Sequence, residues 1–433
     1  MGSEWKEYLL EEICDELTVG YVGSMASEYI SNGVTFLRSQ NVIPFNLDYS
    51  DVKYISAEFN SKIKKSQLNP GDVVIVRTGK PGACAVIPDN APPMNCSDLV
   101  IIRTGKELLP DYLMYYINTI ASHHINAHLV GAVQQHFNVG SAKKIKIPLP
   151  PLQEQSKIVS ILKTIDDKIR LNTQMNHTLE AMARALFKSW FVDFDPVKAN
   201  AEGRRMEGIL PEVQALFPSE FEDSPLGLVP LGWEISTLAS LGKISKEGMK
   251  PENFQDQMVH HYSIPAFDSQ KMPVLENGSG IKSNKFLVKE NSILVSKLNP
   301  ETPRVWLTKI NYQHISLAST EFIVLLSDHS DQRMFLYQYL CSDIFTQSFA
   351  SKVTGTSKSH QRANPNDLLA TEFIKPSPEI VSAFATAVSS IHEKVQINRI
   401  EIEVLAKTRD SLLPKLLSGE LDVSQLSNLV STD

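Results

Sequence analysis

Two clusters of polar side chains in this 433-residue chain have types and spacing that could do chemistry, and each follows a glycine. Gly131, Gln134, Gln135, His136 and Asn138 gather amides and an imidazole, and Lys143, Lys144 and Lys146 come directly after. Amide side chains can hydrogen-bond base edges, glutamine pairing especially with adenine, while lysines suit phosphate oxygens. Gly355, Thr356, Ser357, Lys358, His360 and Arg362 form the counterpart, Gly355-x4-His360 answering Gly131-x4-His136. A polar loop before a strand is the bland alternative; the recurrence of a glycine followed by bulky polar residues in both copies favours contact. Arg77 and Lys80, in a basic loop, come second, with Lys297 at the corresponding later place. Arg38 and Gln40 come third, because Arg38-Ser39-Gln40 could simply end a strand.

Other chemistries lack their signatures. Asn90-Ala91-Pro92-Pro93-Met94 does not have the Asn/Asp-Pro-Pro-aromatic order that clamps a flipped base. There is no GxxxxGK[ST] phosphate loop and no Gly-x-Ser-x-Gly elbow, and Gly278-Ser279-Gly280 reads as a turn. His124 and His128 stand at i, i+4, but without clustered Cys or further ligands they read as ordinary histidines, as do His260 and His261. No metal and no cofactor is expected.

The elements that must position these residues repeat along the chain. Pro148-Leu149-Pro150-Pro151 leads into a segment with Ile158, Leu162, Ile165, Ile169, Leu179, Ala183, Leu186 and Trp190 on one seam, Asn172 and Asn176 sitting mid-seam. Steps of three and four are the a/d pattern of a coiled-coil helix, and prolines suit its start. The same register recurs 226 residues later, from Phe384, Val388 and Ile391 through Asn398 and Ile402 to Leu412 and Leu416. We read an internal duplication, with helices over about 152–192 and 379–413 packed on each other because neither can bury its stripe alone, and antiparallel because pseudo-two-fold symmetry requires them to run oppositely. A pseudo-dyad near mid-seam would set Asn176 against Asn398 and Asn172 against Ile402, the asparagines fixing register.

Between the helical stretches the order of elements also repeats. Leu68-Asn69-Pro70-Gly71-Asp72 is a turn feeding the buried-strand run Val73-Val74-Ile75-Val76; strands follow over 83–87 and 99–102, then a helix over about 111–125. Trp233, Ile293-Leu294-Val295, the strand 322–326 and Phe335-Leu336-Tyr337 answer Trp5, the run before Arg77, the strand at Leu99 and the Tyr112 helix. This divides the chain into a first globule (1–150), a helix (151–195), a linker (196–229), a second globule (230–377) and a closing helix with its tail (378–433). The linker should be partly ordered by Ile209, Leu216 and Phe217 lying on the helices.

Composition fits a cytoplasmic protein: 42% hydrophobic and 21% charged residues, no apolar run of membrane-span length, and four cysteines without a CxxC pair. The net charge of −7 argues mildly against nucleic acid. Residues 1–150 nevertheless carry 13 Lys/Arg against 15 Asp/Glu, and residues 230–377 carry 15 against 14, so each globule is close to neutral and can hold a basic face.

Pro148-Leu-Pro-Pro-Leu-Gln-Glu-Gln155, Phe194-Asp195-Pro196-Val197, Leu226-Gly227 with Gly232-Trp233-Glu234, and Leu412-Leu413-Pro414 running to Gly419 resemble the specificity (S) subunits of type I restriction–modification systems. The resemblance covers essentially the whole chain. It implies an α+β architecture of two similar target-recognition domains separated by two long antiparallel helices, each domain reading half of a bipartite site in double-stranded DNA. It also implies a subunit without catalytic residues, assembled with adenine methyltransferase (M) subunits and an ATP-dependent restriction (R) subunit. The competing reading is a coiled-coil adaptor whose globules bind proteins. A stand-alone nuclease or methyltransferase is disfavoured by the missing motifs.

Overall fold

Val73–Val76 is buried at every residue, which a strand achieves only when both of its faces are covered. The computed structural model describes residues 5–121, 137–351 and 362–423, and shows what covers them. Four antiparallel strands, β1 (Cys14–Val19), β2 (Val73–Val76), β3 (Cys84–Val86) and β4 (Leu99–Thr104), form a sheet in the order β3-β2-β4-β1. Val73, Ile75, Val100 and Ile102 face a core with Tyr112, Leu113 and the long helices; Val74, Val76, Leu99 and Ile101 face a second core with Leu37, Leu68, Met94 and Cys96. Period-two alternation therefore persists, but both sets are apolar.

The second core is closed by a five-stranded sheet, ordered Tyr29–Ile30, Lys53–Ile55, Val34–Leu37, Met94–Cys96, Gln67–Leu68, whose third and fourth strands run parallel. The helix beyond β4 covers Pro110–Tyr116 and widens into a π turn over Ile117–Ala121. At that turn Asn118 clamps the edge strand, accepting from Cys84 N at 3.0 Å and donating to Cys84 O at 2.8 Å.

The later half repeats this construction. Strands β5 (Lys243–Ser245), β6 (Ser292–Ser296), β7 (Val305–Leu307) and β8 (Phe322–Leu326) pair as β7-β6-β8-β5, the order of the first sheet. A five-stranded partner again contains one parallel pair, Met258–Tyr262 with Ile315–Ser319. The repeats differ at one short strand: Tyr29–Ile30 extends its sheet beyond Lys53–Ile55, whereas Gly248–Met249 joins the opposite end, beside Lys285–Leu287.

Two 40-residue helices, α1 (Leu152–Phe191) and α2 (Pro378–Leu417), complete the molecule. The chain divides into two units, 1–170 with 403–433 and 171–402, and within each the helices run antiparallel. In the first unit Arg409 Nη1 meets Asp166 Oδ1 at 2.8 Å, and Ile158 and Leu162 share a core with Leu413 and Leu416. In the second, Asn398 Nδ2 donates to Asn176 Oδ1 at 2.9 Å, both residues buried, as the seam register predicts. Asn172 instead donates to Glu401 Oε2 at 2.9 Å, one residue from the expected Ile402.

Gln155, from the entry motif of α1, is fully buried. It accepts from Leu109 N and donates to Glu107 O and Pro150 O at 2.8–2.9 Å, pinning the first helical turn to the globule. At the other end α2 outruns the expected stop near 413 and passes through Pro414 to Leu417. An interior proline costs about 3 kcal/mol, but Leu413, Leu416 and Leu417 are almost completely buried and stabilise that turn by about 1.5–3 kcal/mol each.

Residues 192–230 are more ordered than a linker need be. Helices Asp195–Ala201 and Pro211–Gln214 precede a hairpin of Phe221–Ser224 with Gly227–Pro230. Asn200 and Gln214 tie the segment together, Gln214 Nε2 donating to Asn200 Oδ1 at 2.9 Å and Asn200 Nδ2 to Phe217 O at 2.8 Å. Ile209 and Phe217 bury as expected, Phe217 edge-on to Trp190 at 5.2 Å. Leu216 does not; the pocket takes its neighbour and leaves it 41% exposed.

The globules grip the helices at equivalent positions. Tyr115 OH donates to Asp166 at 2.7 Å in the first unit; in the second, Gln338 Nε2 and His392 Nε2 lie 2.7 Å apart. The Tyr337 ring lies 5.2 Å from that of His392. Burial pushes His392 down to about 4, Glu180 opposing and Arg399 assisting. A depressed histidine gives stability that is complete above its unfolded value near 6.5 and is lost as pH falls toward 4. The second unit should therefore lose about 2 kcal/mol between pH 7 and 5, and His392→Gln should remove that loss. Urea denaturation at both pH values measures it; an unchanged slope in the variant would assign the loss to other groups.

Candidate nucleic-acid interface

Strand directions decide which side chains meet. In the first unit β2 ends at Val76, where β4 begins at Leu99 and β1 ends at Val19. Met94–Cys96 runs toward this end into Ser97 and Asp98, and its parallel neighbour Val34–Leu37 exits here through Arg38, Ser97 N donating to Leu37 O at 2.9 Å. Gln67–Leu68 is antiparallel to them, so the residues before it, Lys64 and Lys65, fall at the same end. The chain also returns here after 122–136: Phe137 N donates to Arg77 O at 3.2 Å and Arg77 Nε to Phe137 O at 3.1 Å. One end of the sandwich thus gathers Arg38, Gln40, Lys64, Lys65, Arg77, Lys80 and Asn138.

Several of these groups already have partners. Arg38 and Gln40 both reach Asp51 Oδ2, at 3.0 and 2.8 Å. Arg77 Nη1 pairs with Asp98. Asn138 Oδ1 caps the helix Val139–Lys143 by accepting from Ser141 N at 2.9 Å. Lys143 stands 4.0 Å from Glu11 and Lys144 closes the same short helix, so neither joins the group around Arg77.

The second unit repeats the arrangement. β6 ends at Ser296 beside Phe322, the start of β8; Lys297 N donates to Glu321 O at 2.8 Å, and Ala363 N, returning after 352–361, donates to Lys297 O at 3.0 Å. Ile315–Ser319 leads into Glu321, and Lys282 precedes its antiparallel neighbour Lys285–Leu287. Lys246 follows β5 to this end. Arg362 grips Glu321 through Nε and Nη2 at 3.0 and 2.9 Å, holding that carboxyl below the usual carboxylate range. Lys297 is a wall rather than an exposed cation: its ammonium lies 5.8 Å from the Phe286 ring centroid, and burial lowers its pKa.

Gly131, Gln134, Gln135 and His136, and Gly355, Thr356, Ser357, Lys358 and His360, lie outside the described residues, as do His124 and His128. Among the described residues no group of His, Cys, Asp and Glu is arranged to hold a metal, and no helix is long and apolar enough to cross a membrane. His261 is occupied by Glu276 at 2.7 Å.

Residues 3–181 match the model for the type I restriction modification DNA specificity domain. The type I restriction enzyme HindI specificity subunit of Haemophilus influenzae is 27% identical, over 97% of this chain and 100% of its own. The MjaIX specificity subunit of Methanocaldococcus jannaschii is 24% identical over 74% and 71%.

The chain is similar to type I restriction enzyme specificity subunits over nearly its whole length.

The crystal structure of the M. genitalium type I S subunit shares the fold at 13% identity and a TM-score of 0.56, over 95% of this chain and 96% of that one. Of the candidates legible in the sequence, Arg38, Arg77, Lys80, Lys297 and Arg362 are brought by the strand registers to matching ends of the two sandwiches. Sequence reasoning misses Lys64, Lys65, Lys246 and Lys282, whose only signal is the register of a strand two or three residues long.

Proposed function

We propose that the chain is the DNA sequence-specificity subunit of a type I restriction–modification complex, each globule reading one half of a bipartite duplex site. Methylation and cleavage belong to the adenine methyltransferase and ATP-dependent restriction subunits it positions; the chain supplies recognition and spacing. The observation that carries this reading is the repeated cationic end: Arg38, Lys64, Lys65, Arg77 and Lys80 in one unit, and Lys246, Lys282 and Arg362 in the other. An adaptor for proteins has no need to gather cations at the matching end of both repeats.

The test is to assemble the chain with its methyltransferase subunits, map the methylated sites and measure duplex binding against salt. A bipartite site with salt-dependent, sequence-selective binding is expected; protein capture without duplex selectivity would favour the adaptor. Lys64 and Lys65 suit phosphates rather than bases. Changing both to alanine should weaken binding to all sequences and flatten the slope of log K against log salt by about 1–2, given about 0.9 per phosphate contact. Altered half-site preference in that variant would instead make them base readers.

A further inference from the structure

Asp98 and Glu321 occupy the same place in the two repeats. Each immediately precedes the first residue of a central strand, Leu99 of β4 or Phe322 of β8. Each holds an arginine, but the arginines come from different elements. Arg77 follows β2, whereas Arg362 lies on the chain returning to β6, adjacent to Ala363. A carboxylate kept at one register position while its cationic partner changes element suggests that the carboxylate has a task of its own.

That task is not attraction of DNA. An acid on a surface that binds phosphates repels them, and an ion pair as exposed as Arg362 with Glu321, at 55% and 31%, adds little to fold stability. What it can do is orientation. Asp98 and Phe137 O occupy Nη1 and Nε of Arg77. Glu321 occupies Nε and Nη2 of Arg362. In each case one terminal amino group, Nη2 of Arg77 or Nη1 of Arg362, has no partner among the described residues and can donate to an outside acceptor, on a guanidinium restrained by its other contacts. Arginine is flexible, and holding it beforehand removes part of the entropy lost on binding.

We infer that Asp98 and Glu321 are positioning residues, each fixing the arginine that donates to a base-edge acceptor in its own half-site: Asp98 through Arg77, Glu321 through Arg362. This rests on the DNA reading above and adds a sign that the reading alone does not give. Neutralising either acid makes the surface more positive, so binding to non-specific duplex holds or strengthens. Discrimination at one half-site nevertheless falls.

The experiment uses the complex with methyltransferase subunits and duplexes altered at one base pair of either half-site. Asp98→Asn should cut discrimination at one position of the first half-site by about ten- to a hundredfold, the range of one base contact, and leave the second half-site unchanged. Glu321→Gln should do the converse. Asp98→Glu should restore part of the loss, and the melting temperature should stay within error of the parent. Glu321→Gln serves as the independent trial if Asp98→Asn proves unstable, because its ion pair is the more exposed.

Specific and non-specific affinity rising together would mean simple charge removal and overturn the inference. So would equal losses at both half-sites, or full discrimination in both neutralised variants. A parent complex that discriminates while the variants do too sinks only this inference; a parent that discriminates nowhere sinks the DNA reading and this inference with it.

Discussion

Replacing Phe384 with alanine should destabilise the second unit by about 3–5 kcal/mol, the range for an aromatic side chain removed from a filled core. Phe384 is completely buried, and its ring meets those of Phe187, Trp190 and Phe191 at centroid distances of 5.7, 5.7 and 5.0 Å. The neighbours belong to a 40-residue helix and cannot close on the void without bending it, so little relaxation is available. Against a total stability of about 5–15 kcal/mol, that loss is large. Urea denaturation of the full chain should show it, with Phe384→Leu losing markedly less. A loss below about 1 kcal/mol would mean that this aromatic cluster is not what holds α1 and α2 to the second globule.

How much of this was legible in the sequence depends on whether the signal was local. The seams were, because a helix writes its burial at fixed spacing; the contact of Asn176 with Asn398, 222 residues apart, followed from register and duplication alone. Val73–Val76 was legible as a strand covered on both faces for the same reason. The five-stranded sheets were not: strands such as Gln67–Leu68 are too short to show a period, and their place is set by neighbours distant in the chain. The candidate interface inherits that division. Arg77 and Arg362 could be suspected from residue type, but their pairing with Asp98 and Glu321 depends on strand register, which nothing near them in the sequence records. Leu216 and Phe217 show the limit at single-residue scale, where one of two adjacent apolar side chains is buried and composition cannot say which.

Lengthening the two long helices together should change the DNA site while leaving its two recognised halves unchanged. Each helix has 40 residues and is about 60 Å long at roughly 1.5 Å per residue, enough to serve half-sites a DNA turn of about 34–36 Å apart. If these helices set the spacing, their length is the ruler. The insertion point matters, because the pairs Asp166–Arg409 and Asn172–Glu401 fix register on either side of it. Four residues placed between Arg170 and Leu171, with four more between Ile402 and Glu403, leave both pairs intact. They add about 6 Å and roughly one helical turn, so the seam nearly keeps its face. With DNA advancing about 3.4 Å per base pair, the unspecified gap should grow by one or two base pairs. Methylation mapping of the assembled variant reads this directly. An unchanged gap in a folded, active complex would mean that the partner subunits, and not α1 and α2, set the distance between half-sites.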